Sequence, residues 1–100
     1  MNIKKVTVRK AWSDNDVCEL VEAYNLLLNA QEQGVNMAKA PLVRELMASQ
    51  ERSKGSIECK LMNVSAVYVK EGFDFVKGYK PLSNINKALI DQVKTCNKWS

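Results

Sequence analysis

The chain has 100 residues, of which 46% are hydrophobic and 26% are charged, and its formal net charge is +4. This size and composition are typical of a single folded domain with one modest core. The sequence contains no histidine, which excludes Ser-His and Cys-His nucleophile pairs and histidine-ligated metal sites. No apolar run approaches the ~20 residues that a membrane-spanning helix needs, so we expect no membrane partner.

The three cysteines, Cys18, Cys59 and Cys96, lie far apart and are odd in number. This pattern argues against a disulfide framework and predicts three free thiols in a reducing, cytoplasmic setting. Three dispersed cysteines also cannot complete a four-ligand zinc site. We therefore expect neither a metal nor another cofactor.

The N-terminal residues 1–12 form a basic segment with four positive and no negative side chains. Apolar and polar residues alternate around Ile3, Val6 and Val8. This brief pattern is typical either of a basic N-terminal arm or of a short strand. Residues 13–100 are predicted to form a single helical domain.

The first helix is predicted to begin at "SDND", residues 13–16, because Ser13 can cap it and Asp16 can complete a capping box. Gly34 is expected to end it. Apolar residues at helical spacing define its buried stripe: Val17, Leu20, Val21, Tyr24, Leu27 and Leu28.

The second helix is predicted within "KAPLVRELMAS", with Pro41 in its first turn and its end near Gln50. Its inward face is expected to consist of Leu42, Val43, Leu46 and Met47. The segment "QERSKG" then turns the chain.

The third helix is predicted from about Ser56 to Glu71, with Gly72 as its stop. Its core-facing positions are Ile57, Leu61, Val64 and Tyr68, and a second apolar strip consists of Met62, Ala66 and Val69. The aromatic connector "GFDFVKGYKPLSN" follows, and Phe73, Phe75 and Tyr79 are expected to pin it to the core. A last helix is predicted from about Asn84 to Lys98.

Charge is distributed unevenly along this plan. Residues 13–38 carry five acidic and no basic side chains, whereas residues 39–100 carry eleven basic and six acidic ones. The first helix is therefore an acidic face, and the second half of the chain together with residues 1–12 is basic. Such asymmetry favours an anionic partner for the basic part.

A short helix, a tight turn and a third helix with a basic, polar start have the layout of a helix-turn-helix. The fold expected is all-α, with four helices around a helix-turn-helix-like core. In that motif the second helix presents its first turns to DNA, and Gly55 would let the backbone approach a phosphate closely. The candidate nucleic-acid-binding residues are Arg52, Ser53, Lys54, Ser56, Lys60, Asn63, Lys77 and Lys80. The alternative is that the residues before the helix are solvated loop residues preceding a serine cap.

The run "RSKGSIECKLMNVSAV", followed by "GYKP", resembles the N-terminal module of HNH-type restriction endonucleases, including modification-dependent ones. The upstream "LVEAYNLLLNAQEQG" and "KAPLVRELM" fit the same family, so the likeness covers about residues 11–87. The chain has no HNH nuclease part, and the resemblance therefore implies association with DNA rather than cleavage. The start of the third helix also resembles, more loosely, the recognition helices of Myb-like domains.

These observations predict a small non-enzymatic module that binds double-stranded DNA, in restriction, defence or counter-defence. The alternative is an adaptor that binds a nuclease or another protein subunit through the same basic face. A cryptic enzyme built from acidic residues is the weakest candidate, because the dipole and capping of the first helix account for its carboxylates. Salt dependence separates the first two, since phosphate contacts weaken steeply as salt rises.

Overall fold

A computed structural model describes residues 11–99 of the protein. In this range the chain forms four α-helices and no strand: α1 (Asp14–Glu32), α2 (Ala40–Gln50), α3 (Lys54–Lys70) and α4 (Lys87–Asn97). The all-α, four-helix prediction is therefore confirmed. The predicted N-terminal arm or strand falls mainly on residues 1–10, which lie outside the described residues.

The start of α1 confirms the capping box. The Ser13 hydroxyl accepts a hydrogen bond from the Asp16 backbone N–H at 3.0 Å, and the Asp16 carboxylate accepts one from the Ser13 N–H at 3.4 Å. These bonds satisfy amides that the helix itself leaves without partners. The predicted stripe is buried except for Leu28, which is half-buried.

The junction between α2 and α3 is the short turn 51–53. Glu51 adopts a left-handed conformation with φ of 53° and ends α2, and the Ser53 hydroxyl caps α3 by accepting from the Ser56 N–H at 3.2 Å. Because of this cap, α3 begins two residues earlier than predicted. A short helix, a three-residue turn and a longer helix give the connectivity of a helix-turn-helix.

Helix α3 packs against each of the other three helices. Its predicted core positions are all buried, but the second strip is only partly so, because Val69 is 46% exposed. The buried polar residue Ser65 is bonded to the Tyr24 hydroxyl at 2.7 Å, and that hydroxyl accepts from the Val76 N–H at 2.9 Å. This polar chain ties α1, α3 and the connector together.

The connector 71–86 is anchored differently from the prediction. Tyr79 and Val76 are buried and Phe75 is half-buried, whereas Phe73 is 49% exposed and stacks on Trp99 with ring centroids 4.5 Å apart. Asn86 then caps α4 by accepting from the Leu89 N–H at 2.9 Å. None of the helices within residues 11–99 is long and apolar enough to cross a membrane.

The prediction of three free thiols is wrong. Cys18 and Cys96 form a disulfide with their Cα atoms 5.3 Å apart, and Cys59 alone is a free, exposed thiol. The bond forms because α1 packs along α4, which brings together two residues separated by 78 positions in the sequence. The expectation of a reducing compartment rested on free thiols, and this pairing removes its basis.

Candidate nucleic-acid interface

Only the first turns of α3 are open to solvent near the predicted site. Ser53, Lys54, Gly55 and Cys59 are exposed, while almost every residue from Leu61 onward to Tyr68 is buried. A partner that recognises the predicted site must therefore approach the N-terminal end of α3. A helix N-terminus carries partial positive charge and unpaired N–H groups, which favours an anion there.

Two grooves flank this end of α3 on opposite sides. At 100° per residue, Lys54 and Glu58 point to one side, and Ser56, Cys59, Lys60 and Asn63 point to the other. The groove on the Lys54 side is called the Lys39 groove, and its lining includes Lys39, Val43, Arg44, Met47, Lys54 and Glu58. The groove on the Lys60 side is called the Trp12 groove, and its lining includes Trp12, Arg52, Ser56, Cys59, Lys60 and Asn63.

Arg52, in the Trp12 groove, is engaged within the protein. Its guanidinium lies 3.7 Å from the centroid of the Trp12 ring and donates to the Ala11 carbonyl at 2.9 Å. It also pairs with the Asp16 carboxylate at 3.3 Å, and its side chain is only 7% exposed. Stacking, hydrogen bonding and ion pairing all hold this cation against α1 rather than toward a phosphate.

Lys60 lies close to the same ring, with its ammonium 5.1 Å from the Trp12 centroid. Burial, the largest cause, lowers the pKa of Lys60 below its ordinary value; the neighbouring Cys59 opposes this shift, and the positive charge of Arg52 adds to it. A lowered pKa means that the surroundings disfavour the charged form. Lys60 is half-buried beside an aromatic ring, unlike the exposed lysines of the connector.

Asn63 at the base of the Trp12 groove supports the fold. It is 7% exposed and donates to the Leu82 carbonyl at 2.8 Å, while the Leu82 N–H donates to the Met62 carbonyl at 3.1 Å. These two bonds attach the end of the connector to α3. Reading a base edge would require this amide to leave its partner.

The Lys39 groove lies between α2 and α3 and has a different charge balance. Lys39, Arg44 and Lys54 line it together with one carboxylate, that of Glu58. Arg44 and Lys54 are exposed, and Lys39 is half-buried. Within residues 11–99, none of these three cations forms an ion pair.

Tyr79 packs beside the Lys39 groove, and the Lys39 ammonium lies 5.7 Å from the centroid of its ring. The tyrosine is 4% exposed, and its hydroxyl has no hydrogen-bond partner among the described residues. Burial and, to a lesser extent, the negative charge of Glu58 raise the pKa of Tyr79 to about 12. A buried hydroxyl without a partner is uncommon in a folded protein and calls for an explanation.

The connector lysines extend the basic surface. Lys77 and Lys39 line a shared depression beside Gln31, whose side chain accepts from the Lys77 N–H at 2.8 Å. Lys77 and Lys80 are both exposed, and within the described range neither forms an ion pair. A row of basic residues therefore runs from Lys77 past Lys39 and Arg44 to Lys54.

The predicted site residues are thus divided by the fold. Lys54 and Lys77 belong to the basic row, whereas Arg52, Ser56, Lys60 and Asn63 line the Trp12 groove, and the Ser53 hydroxyl is used as the cap of α3. Lys39 and Arg44 were not singled out from the sequence. Lys39 is the N-cap residue of α2 and Arg44 is exposed on that helix. Their positions become informative only once α2 is placed against the Lys54 side of α3.

In the described part of the chain, no group of three or more cysteine, aspartate and glutamate side chains lies close enough together to hold a metal ion. Comparison with protein-family models, with curated proteins and with solved structures found no match to the chain.

Proposed function

We propose that the protein is a small, non-enzymatic DNA-binding module that contacts the phosphate backbone through the basic row Lys77, Lys39, Arg44 and Lys54. The observation that carries this proposal is the group of three cations around the Lys39 groove, which form no ion pair within residues 11–99. Cations that serve stability are usually given partners, as Arg52 is. Basic side chains that lack ion-pair partners and share one face are typical of phosphate-binding surfaces.

The position of the row relative to α3 supports this proposal. Lys54 is the first residue of α3 and no acidic residue lies in the first turn, so the lysine and the helix dipole act on an anion in the same sense. In a helix-turn-helix, too, the N-terminal residues of the second helix meet the DNA. Arg52, Lys60 and Asn63 then support the structure of the motif, and the exposed Lys80 adds positive charge to the connector.

The test is a titration of a labelled DNA duplex with the purified chain at several salt concentrations. We expect affinity to fall as salt rises, and expect Lys54→Ala and Arg44→Ala each to weaken binding and flatten the logarithmic salt slope by about one unit. Lys87→Ala is the matched control, since Lys87 is also an exposed lysine but pairs with Asp91 at 2.8 Å on α4. It should change affinity little.

The adaptor hypothesis makes the opposite prediction. If the parent chain shows no salt-sensitive affinity for any duplex, or if Lys54→Ala binds as the control does, the basic row faces a protein partner instead. The resemblance to HNH-type restriction endonucleases adds a context for either outcome, because the module it resembles is found together with a nuclease. A nuclease or methyltransferase gene next to this one would support a role in restriction, defence or counter-defence.

A role on DNA implies a cytoplasmic location, where disulfides are rare. The redox state of Cys18 and Cys96 in the cell therefore bears on the proposal. Trapping thiols with an alkylating reagent before lysis and measuring the mass of the chain would determine it. A reduced pair in the cell supports a cytoplasmic DNA-binding role, whereas a fully oxidised pair favours an oxidising compartment and counts against it.

A further inference from the structure

An apolar groove separate from the basic row runs between α1 and α2. Its floor is made of Ala23 and Leu26 from α1 and Leu42 and Leu46 from α2, and it encloses about 570 Å³. Leu26 is 51% exposed although it lies in the middle of a long helix. A volume in this range is that of clefts that take a ligand.

Both walls of this groove have the same residue spacing. The lining residues of each helix follow an i, i+3, i+4, i+7 pattern. On α1 they are Glu19, Glu22, Ala23 and Leu26, and on α2 they are Leu42, Glu45, Leu46 and Ser49. This is the spacing of one continuous helix face. Two such faces side by side form a trough into which a third helix can pack its own ridge of side chains.

The edges of the trough are acidic. Glu22 and Glu45 are exposed and, within residues 11–99, form no ion pair. Glu19 is held in place by hydrogen bonds from Gln50 at 3.0 Å and Ser49 at 3.3 Å. The groove is thus an apolar strip between carboxylates, which repels phosphate and attracts lysine and arginine.

We propose that the α1–α2 groove binds an amphipathic helix of a partner protein, with apolar side chains on one face flanked by lysine or arginine. The apolar face would cover Leu26 and Leu42, and the flanking cations would meet Glu22 and Glu45. This is the helix-in-groove mode of recognition, in which i, i+3, i+4 and i+7 anchors supply affinity and edge charges supply selectivity. The protein would then join a DNA-facing basic row to a partner-facing acidic groove on different sides of α2.

The test uses a labelled peptide of about 14 residues, roughly four helical turns, built only of leucine and lysine in an amphipathic pattern. A second peptide has glutamate in place of every lysine. We expect the lysine peptide to bind at least about tenfold more tightly than the glutamate peptide. Backbone amide spectra of the isotope-labelled protein should shift at residues 19–26 and 42–49 but not at Lys54 or Lys77.

Variants of the parent chain localise the binding. Leu26→Asp should weaken peptide binding by roughly tenfold or more, whereas Val69→Asp, which places the same charge at a similarly exposed apolar position of α3, should not. Circular dichroism confirms that both variants are folded. DNA affinity should be unchanged in Leu26→Asp, so failure here is distinct from failure of the DNA proposal.

Three outcomes would overturn the proposal: equal binding of both peptides, equal binding by Leu26→Asp and Val69→Asp, or spectral shifts confined to residues outside the groove. The last outcome would include a peptide that inserts beside the exposed Phe73 and the half-buried Trp99.

Discussion

The two grooves on either side of α3 hold similar numbers of basic side chains but use them differently. In the Trp12 groove, Arg52 is 7% exposed, pairs with Asp16 and stacks on Trp12, and Lys60 is half-buried beside the same ring. In the Lys39 groove, Arg44 and Lys54 are exposed and form no ion pair within residues 11–99. The difference indicates that the first set of charges serves stability, and it leaves the second set available for a ligand.

The largest expected effect concerns the Cys18–Cys96 disulfide, which fixes α1, the helix that carries Asp16, to α4. A bond that spans 78 residues of sequence restricts the unfolded chain strongly, and its reduction should lower the free energy of unfolding by about 4 kcal/mol. Urea unfolding with and without reductant measures this change, with Cys59→Ser as the control that leaves the bond intact. The Lys39 groove contains neither cysteine, so DNA affinity of the folded, reduced protein should be unchanged. An identical unfolding midpoint with and without reductant would contradict the pairing.

The second prediction compares Arg52→Ala with Lys54→Ala, two neighbouring cations assigned to different grooves. Removing Arg52 takes away the ion-pair partner of Asp16, which keeps only the Ser13 N–H among the described residues, and exposes the Trp12 ring. The cost should be about 3 kcal/mol of unfolding free energy. Lys54→Ala should lie within about 0.5 kcal/mol of the parent, since it is an exposed side chain outside the core. Affinity for DNA should show the reverse ranking when it is measured on the folded fraction. If Arg52→Ala were as stable as the parent, the two grooves would not differ in the way described.

Structural features that depend on neighbouring residues could be predicted from the sequence, whereas contacts between distant residues could not. Caps at Ser13 and the helical spacing of buried residues in α1 and α3 follow from neighbouring residues alone, because a helix is specified within one or two turns. The partners of Arg52 and Asn63 lie 36 and 19 residues away in the sequence, at Asp16 and Leu82. Basic and amide side chains at the start of a helix look the same in a sequence whether they face a phosphate or a distant part of the chain.

The disulfide and the cations at Lys39 and Arg44 were missed for the same reason. Cysteine counting works when many cysteines are packed into a short chain, whereas a single pair depends on which helices become neighbours. Lys39 and Arg44 share a groove with Lys54 only because α2 packs on that side of α3. Charge asymmetry along the chain predicts that a basic surface exists, and the packing of the helices decides which residues form it.

The third prediction concerns Tyr79 beside the Lys39 groove, compared with Tyr24 in the core. The Tyr79 hydroxyl has no partner among the described residues, whereas the Tyr24 hydroxyl is bonded to Ser65 and to the Val76 N–H. Removing an unsatisfied buried hydroxyl relieves a desolvation cost, so Tyr79→Phe should raise the free energy of unfolding by about 1 kcal/mol. Tyr24→Phe should lower it by a similar amount. Chemical denaturation of the two variants measures both changes in the free energy of unfolding. The prediction is wrong if Tyr79→Phe destabilises the protein as Tyr24→Phe does.

The raised pKa of Tyr79 should make the free energy of unfolding depend on pH in the alkaline range. Burial raises the pKa of Tyr79 to about 12 in the folded protein, while an unfolded tyrosine titrates near 10. Between these values the unfolded chain has lost the proton and the folded chain has kept it, so stability is fully present below about pH 10 and falls as pH rises toward about 12. Tyr79→Phe should make this fall shallower, although Tyr68, whose pKa burial also raises to about 12, still contributes. Unfolding midpoints measured over a pH series test this prediction. If the midpoints of the parent and of Tyr79→Phe fall in parallel, Tyr79 does not contribute to the alkaline loss of stability.

The smallest expected effect is at Gly55, in the exposed first turn of α3 between the two grooves. A Cβ added there would meet no atom within 4 Å, so the fold does not require glycine at this position. Alanine is the better helix former, and Gly55→Ala should raise the free energy of unfolding by up to about 1 kcal/mol. If the backbone at the start of α3 comes close to a phosphate, the added methyl group should nevertheless weaken duplex binding several-fold. Stability and affinity would then change in opposite directions in one variant, which a loss of folding cannot explain. Unchanged affinity in Gly55→Ala, together with reduced affinity in Lys54→Ala, would instead mean that the DNA is held by side chains around the Lys39 groove and that the α3 backbone stays out of contact.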